Sequence, residues 1–309
     1  MLKVRNCYTV VKALWLRVGT SVTPTIHTDK SHFHCPLAVH TKLLSTNFYP
    51  SFDNEPSAYR NLRDIIDSEL NHRMNNPNRF QPISKREDRC DQPIEVCKAN
   101  SKGRYIVVYR GCTIIKNAEE LQAYHQLFWY VQPRTIIEVG VAGGGSSVWF
   151  ADQFKLLDIP GHVYSMDINL SLIEENVKKL SPDNITFLQG DCNEIEKTFT
   201  PEMLSKLPHP WVLVEDAHVN MDGVFRYFHQ FMKEGDYLTV EDTNPYIPRD
   251  VGYMGTAFNS TTFLGPAKLE TFKQFMLEHE EYYAVDSFLT DLFGYNCSWM
   301  WHGFVRRMK

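Results

Sequence analysis

TIIEVGVAGGGSSVWFADQF, Thr135–Phe154, decides the fold. A β-branched, apolar run ends at an acid, Glu138. Gly140, Gly143, Gly144 and Gly145 follow, then Ser146, Ser147 and an amphipathic stretch. Strand, glycine-rich turn and helix follow one another. Glycines lack Cβ, so backbone N–H groups can approach a ligand closely, and the start of the next helix favours negative charge. The turn is read as a binding loop at a strand exit, against the plainer reading of a tight turn without a ligand.

Outward from this stretch the chain alternates. TIIEVG (135–140), HVYSMD (162–167), ITFLQG (185–190), WVLVED (211–216) and YLTVED (237–242) have the length and residue types of strands. Helical stretches at 146–157, 170–180, 193–206 and 220–233 separate them. Short apolar strands alternating with helices predict a parallel sheet covered on both faces: an α/β, doubly wound, Rossmann-like fold with ligands beyond the carboxyl ends of the strands. A helix at 266–279 and apolar stretches at 282–289 and 297–305 are expected to complete the edge. Upstream, AEELQAYHQLFWYV (118–131) predicts a helix ended by Pro133, and YIVVYRGCTII (105–115) predicts a strand and turn. Residues 56–75 place Tyr59, Leu62, Ile66 and Leu70 near a helical period. The domain reading is an arm over 1–55, an extension over 56–132 and a catalytic domain over 133–309.

Acids stand at the strand exits. The glycine spacing is not the G-x-G-x-x-G of dinucleotide folds. Glu138 would repel a pyrophosphate but suits a cation or an amine. S-adenosylmethionine carries a sulfonium and an ammonium, and its carboxylate can take loop N–H groups. Glu138, Gly140, Gly143 and Ser146 are therefore assigned to this cofactor. Asp167 at the second strand tip is placed for the ribose hydroxyls, and Asp191 after the third is placed for the adenine amine. The fourth tip carries Glu215, Asp216 and His218, and the fifth carries Glu241, Asp242 and Asn244. Carboxylates that converge without a lysine between them repel one another unless a cation sits there, and an oxygen-rich set suits Mg²⁺. Helix capping by Asp216 is the structural alternative. His218 is read equally as a general base or as a loop histidine with its bonds satisfied.

Bulk properties narrow the classes. The chain has 309 residues, 43% hydrophobic and 22% charged, with a formal net charge of −5. There is no basic field for duplex nucleic acid and no apolar run of membrane-spanning length. Seven widely spaced cysteines without a C-x-x-C point to reduced thiols in an intracellular protein. Residues 1–28 carry Lys3, Arg5, Lys12 and Arg17 and no acid, as an organelle-targeting presequence or a basic tail would. The expected location is cytoplasmic or organellar. His27, His32, His34, Cys35 and His40 have no repeating ligand spacing and read as scattered polar residues.

The stretch YRGCTIIKNAEELQAYHQLFWYVQPRTIIEVGVAGGGSSVWFAD, with GDYLTVEDTN and Gly265-Pro266 before a helix, resembles the cephalosporin hydroxylase / rhamnosyl O-methyltransferase family. The resemblance covers about residues 105–280. It implies a class I methyltransferase fold, S-adenosylmethionine and a divalent metal, usually Mg²⁺. Its metal ligands fall on Asp216, Glu241 and Asp242, with Glu215 the alternative to Asp216. A proline and an aspartate of the family give way to Asn117-Ala118-Glu119, read as a local change at a helix start. The ending FGYNCSWMWHGFVRR also departs from the family pattern, and the first 100 residues match nothing in it.

The expected function is thus a Mg²⁺-dependent O-methyltransferase acting on a hydroxyl of a small molecule or sugar, with Asp216 and His218 at the chemistry. The expected partners are a small-molecule acceptor and a second copy of the chain, not nucleic acid. A nicotinamide-dependent oxidoreductase and a non-catalytic binding protein are the rival readings. Trp299 and Trp301 are placed either in a pocket or in packing.

Overall fold

The computed structural model describes residues 57–180, 182–246 and 265–309. The chain falls into two units, Met1–Asn61 and Leu62–Lys309, and the account that follows is of the second. The expected arm over 1–55, with its histidines and basic residues, lies outside the described residues.

The strands are β1 (Phe80–Gln81), β2 (Val108–Tyr109), β3 (Cys112–Thr113), β4 (Thr135–Val139), β5 (His162–Asp167), β6 (Ile185–Gln189), β7 (Trp211–Glu215), β8 (Tyr237–Val240), β9 (Tyr283–Asp286) and β10 (Phe304–Arg307). The helices are α1 (Ser57–Met74), α2 (Ile94–Gly103), α3 (Ala118–Val131), α4 (Gly145–Leu156), α5 (Glu175–Leu180), α6 (Ile195–Thr198), α7 (Pro201–Leu204), α8 (Met221–His229), α9 (Pro266–Glu278) and α10 (Ser287–Thr290). Eight strands form one sheet in the order β1-β9-β10-β8-β7-β4-β5-β6. The five consecutive strands β8, β7, β4, β5 and β6 are parallel, with Ile136 beside Val163 on one side and Val212 on the other. β10, β9 and β1 continue the sheet antiparallel.

The antiparallel edge differs from the sequence reading in two features, and the expected helices 170–180 and 193–206 are each broken into shorter turns. Of the apolar stretch 297–305 only Phe304 and Val305 enter a strand. The rest is a loop that buries Trp299 and Trp301. The outermost strand, Phe80–Gln81, comes from a polar stretch with no strand pattern. It is two residues long, and its partner β9 supplies the pairing.

Strand alternation divides the core. Ile136, Val163, Val212 and Val214 pack against Tyr124, Leu127 and Phe128 of α3 and Phe150 and Phe154 of α4. Ile137, Val139, Leu213 and Leu238 face the other way, onto Phe225 and Phe228 of α8 and Phe272 and Phe275 of α9. The helices thus cover both faces. Burial of each such large side chain contributes about 1.5–3 kcal/mol. α3 starts where the Asn117 and Glu120 side chains exchange bonds with each other's backbone N–H, a capping box. This is the physical content of the Asn117-Ala118-Glu119 departure. The helix stops at Gln132, whose φ is 51°, just before Pro133. Among the described residues no helix is long and apolar enough to cross a membrane.

Candidate functional site

A cavity of about 930 Å³ opens at the carboxyl ends of the parallel strands. The loop after β4 lines one side and the tips of β7 and β8 line the other. Gly140, Gly143, Ser146, Asp167, Asp191, Asp216, His218 and Asp242 all line it, whereas Glu138, Glu215 and Glu241 do not.

The glycine loop owes its composition to packing as much as to any ligand. Gly140 has φ of 97°, and a Cβ there would lie 2.5 Å from the Asp216 carbonyl carbon. A Cβ on Gly145 would lie 2.1 Å from the Thr113 carbonyl oxygen. The loop is therefore wedged between β7 and the β2–β3 hairpin, and only glycine fits. Asp167 holds its shape, with Oδ2 accepting the N–H groups of Val141 and Ala142, each at 2.9 Å. Asp191 accepts the Asn193 N–H at 2.8 Å and caps the turn after β6.

Glu138 departs from its expected role. It is fully buried beneath the loop, and its carboxylate accepts hydroxyl bonds from Ser146, from Ser147 at 2.5 Å and from Ser165 at 2.8 Å. Burial pushes its pKa up against these bonds. The acid organises the loop from behind, out of reach of the cavity.

The tips of β7 and β8 also rearrange the expected set. Asp216, His218 and Asp242 each bring a donor atom within 4.8 Å of the others. Glu241 is turned away. Its Oε1 takes the Tyr124 hydroxyl at 2.6 Å and Lys116 Nζ at 2.7 Å, in the interior. The cause is strand period. Glu241 lies on the face of Thr239, which also bonds Tyr124, while Asp242 leaves the strand with φ of 56° and enters the cavity. Glu215 likewise points inward and pairs with Lys268 at 2.8 Å.

The premise that no lysine separates these acids does not survive folding. Arg104 reaches Asp242 at 2.7 Å, Lys116 lies between Glu241 and Asp216, and Lys268 joins Glu215. Burial works against the Lys116 charge, but Glu241 and Asp216 outweigh it and hold its pKa above the ordinary value. Burial would raise the Asp242 pKa, but Arg104 and His218 hold it well below the usual carboxylate range. One of these cations had a readable signal. Lys268 stands with Leu269, Phe272, Phe275 and Met276 on the buried face of α9, where a charge needs a partner. Arg104, stacked on Trp299 at 4.0 Å, had none.

Lysine only donates, so the bond of 3.1 Å between Lys268 Nζ and His218 Nδ1 makes Nδ1 the acceptor. The neutral ring then carries its proton on Nε2, facing Asp242 Oδ2 at 3.3 Å and Asp216 Oδ1 at 3.5 Å. In this state His218 donates to the acids and is not poised as a base. Its φ of 58°, like that of Asp242, is rare outside glycine, and such backbone gathers at functional sites.

The donor set suits a divalent cation. Asp216 and Asp242 offer carboxylate oxygens to the cavity, and His218 Nε2 could join only in the tautomer protonated at Nδ1, which the bond from Lys268 opposes. Four carboxylates (Glu215, Asp216, Glu241 and Asp242) meet three cations (Arg104, Lys116 and Lys268), and buried Glu120, its pKa pushed up to about 7 by burial, adds a fifth acid near Arg104 and Lys116. Glu241 Oε2 is also buried without a hydrogen-bond partner.

The sequence matches the family model described as Rhamnosyl O-methyltransferase/CmcI over residues 102–308. Rhamnosyl O-methyltransferase of Mycobacterium tuberculosis is 23% identical over 139 residues, 44% of this chain and 56% of that protein. Its namesake in Mycobacterium leprae is 23% identical over 148 residues, 46% of this chain and 64% of that protein. The chain thus spans little more than half the length of these curated relatives. An apo structure of CmcI is similar with a TM-score of 0.51 and 28% identity, covering 66% of this chain and 77% of CmcI. A CmcI structure described as Mg-SAM has a TM-score of 0.51 and 25% identity, covering 79% of this chain and 96% of CmcI. The chain belongs to the Rhamnosyl O-methyltransferase/CmcI family and has its Rossmann-like methyltransferase fold.

Proposed function

We propose that this member of the Rhamnosyl O-methyltransferase/CmcI family transfers a methyl group from S-adenosylmethionine to a hydroxyl of a small molecule, with a divalent cation, Mg²⁺, at Asp216 and Asp242. The observation that carries the reading is the joining, in one cavity, of the β4 loop with the Asp216–His218–Asp242 cluster. The similarity to the Mg-SAM form of CmcI supports both partners.

Each residue has a part in this reading. The N–H groups at the start of α4, where Gly145 and Ser146 line the cavity, receive the cofactor carboxylate, and Asp167 and Asp191 stand at the ribose and adenine end. Asp216 and Asp242 would hold the cation, which when bound lowers the pKa of the acceptor hydroxyl. Asp216 takes the hydroxyl proton. His218 fixes the two carboxylates, and Arg104 anchors Asp242. Holding the acceptor oxygen in line with the methyl group supplies the rest of the rate.

Lys116 favours a second reading. Its ammonium, 3.3 Å from Asp216 and 2.7 Å from Glu241, can itself stand where a metal would, giving a metal-independent transferase.

A thermal-shift titration with S-adenosylmethionine, with and without Mg²⁺, on wild type and Asp216→Asn tests both. Ligand at 100 times its Kd adds about 2.7 kcal/mol of stability. Stabilisation by the cofactor in both proteins, with a Mg²⁺ increment in the wild type alone, is the expected result. No shift with millimolar cofactor would sink the methyltransferase reading, and a cofactor shift indifferent to Mg²⁺ and chelator would favour the metal-independent one.

A further inference from the structure

The family match begins at residue 102, and the ending FGYNCSWMWHGFVRR, residues 293–307, departs from the family pattern. The structure joins the segment before the match to this ending in one seam. Arg86 is buried and pairs with Asp291 through two nitrogens, at 2.6 and 2.7 Å. The Asp91 N–H donates to the Tyr295 carbonyl at 3.1 Å, and the Tyr295 N–H donates to Asp91 Oδ2 at 2.9 Å. The guanidinium groups of Arg86 and Arg89 each lie 4.1 Å from the centre of the Tyr295 ring. Charge-assisted bonds thus hold the two segments in register.

Two thiols meet inside this seam. Cys90 Sγ lies 3.8 Å from Cys297 Sγ, although the residues are 207 apart in the chain. Cys90 is half-buried and Cys297 is buried. Both stand in backbone that belongs to neither helix nor strand, so drawing the sulfurs together breaks no ladder. Bonded sulfurs lie about 2 Å apart, and the two segments share the remaining approach. Cys97 is the third thiol of this neighbourhood, and its Sγ bonds the Gln92 side chain at 3.6 Å.

Burial pushes the pKa of both thiols up, that of Cys297 to about 11, so the pair rests protonated and exchanges slowly. The position of the equilibrium is a separate matter. It is set by the poise of the surroundings and by how closely the fold holds the two sulfurs.

We propose that Cys90 and Cys297 form a modification site, a thiol pair that a small disulfide of the glutathione class converts into a disulfide across the seam. The thiolate of the more exposed Cys90 attacks one sulfur of the small disulfide, and one small thiolate leaves. Cys297, as thiolate, then attacks Cys90 Sγ and breaks its bond to the second small thiol, which leaves in turn. Two electrons pass from the protein to the small disulfide, and the two thiol protons end on the two small thiols. The reduced pair is the resting state where thiols are kept reduced, and the link forms where the poise turns oxidising. The link locks the segment before α2 onto the C-terminal loop. It closes a span of 207 residues, long enough to restrain the unfolded chain strongly. None of this depends on the methyltransferase reading.

The test equilibrates the full chain with mixtures of reduced and oxidised glutathione at about pH 8, where more thiolate is present. Free thiols are then alkylated and the chain is mapped by mass spectrometry without reduction. A peptide pair joined through Cys90 and Cys297 is expected, with a thermal midpoint raised by about 5 °C or more over the reduced protein. Cys90→Ser, at a half-buried position, should abolish the link and the rise together and leave the reduced midpoint unchanged. Cys97→Ser should keep both. A Cys90–Cys97 link, glutathione retained on Cys90 without a protein link, or no oxidation in oxidised glutathione alone overturns the site. A Cys90–Cys297 link that leaves the midpoint unchanged overturns the lock.

Discussion

Lys116 Nζ lies 2.7 Å from Glu241 Oε1 with 1% of the lysine side chain and none of the glutamate exposed to water. Two residues 125 apart in the chain, one before α3 and one after β8, thus share a charge pair in the interior. Tyr124 adds its hydroxyl to the same oxygen. The pair turns Glu241 away from the cavity and leaves Asp216 and Asp242 as the acids that the β7 and β8 tips present to it.

Breaking this pair from one side strands a buried charge. Lys116→Met should cost about 3–5 kcal/mol of folding stability. The double variant Lys116→Met/Glu241→Gln should recover part of it, because the remaining amide is neutral and can still accept the Tyr124 bond. Urea unfolding measures both, and a loss below 1 kcal/mol in Lys116→Met would mean the charges are not coupled as described.

The same geometry separates the adjacent acids Glu241 and Asp242. With Mn²⁺ as a paramagnetic stand-in for Mg²⁺, Asp216→Asn and Asp242→Asn should each weaken binding at least tenfold. Glu241→Gln should change it little. Comparable losses in all three variants would return Glu241 to the ligand set.

Gly145 has room for no side chain. Gly145→Ala places a methyl group 2.1 Å from the Thr113 carbonyl oxygen and must push the β2–β3 hairpin away from α4. Overpacking of this kind costs about 1–3 kcal/mol. The hairpin should also exchange its amide hydrogens faster than in the wild type, and unchanged exchange in residues 108–115 would refute the wedge.

His302 sets a pH limit on stability. Burial and the neighbouring Arg86 guanidinium lower its pKa to about 4, even though Asp88 pulls the other way. Its Nδ1 accepts from Arg86 Nε at 3.2 Å, which disfavours a proton there. The folded state then binds fewer protons than the unfolded state between about pH 4 and pH 6.5, so its contribution is full above pH 6.5 and is lost as pH falls toward 4. From the size of the shift, the loss is about 3 kcal/mol. Denaturation midpoints at pH 7 and pH 4.5 should differ by less in His302→Gln than in the wild type, and an equal difference would exclude His302 as a source.

What was legible in the chain was local. The short apolar, β-branched runs TIIEV, WVLVE and YLTV and the glycine run after Val139 marked the strands and the cavity edge, because a parallel strand buried on both faces needs a near-continuous apolar run. They placed the acids at the strand exits within one or two positions. The capping exchange at Asn117 and Glu120 was equally local.

By itself the sequence determined the parallel α/β order, the strand exits and the kinds of group gathered there. Only the tertiary structure decided which of those groups meet the cavity and which meet each other. Arg104, Lys116 and Lys268 come from three separate segments and reach the acids by packing, so no spacing along the chain records them. Glu241 and Asp242 are neighbours in sequence, yet one is sealed in the core and the other faces the cavity. The pleat sends successive side chains to opposite sides, and the turn of Asp242 out of the strand fixes which one the cavity receives.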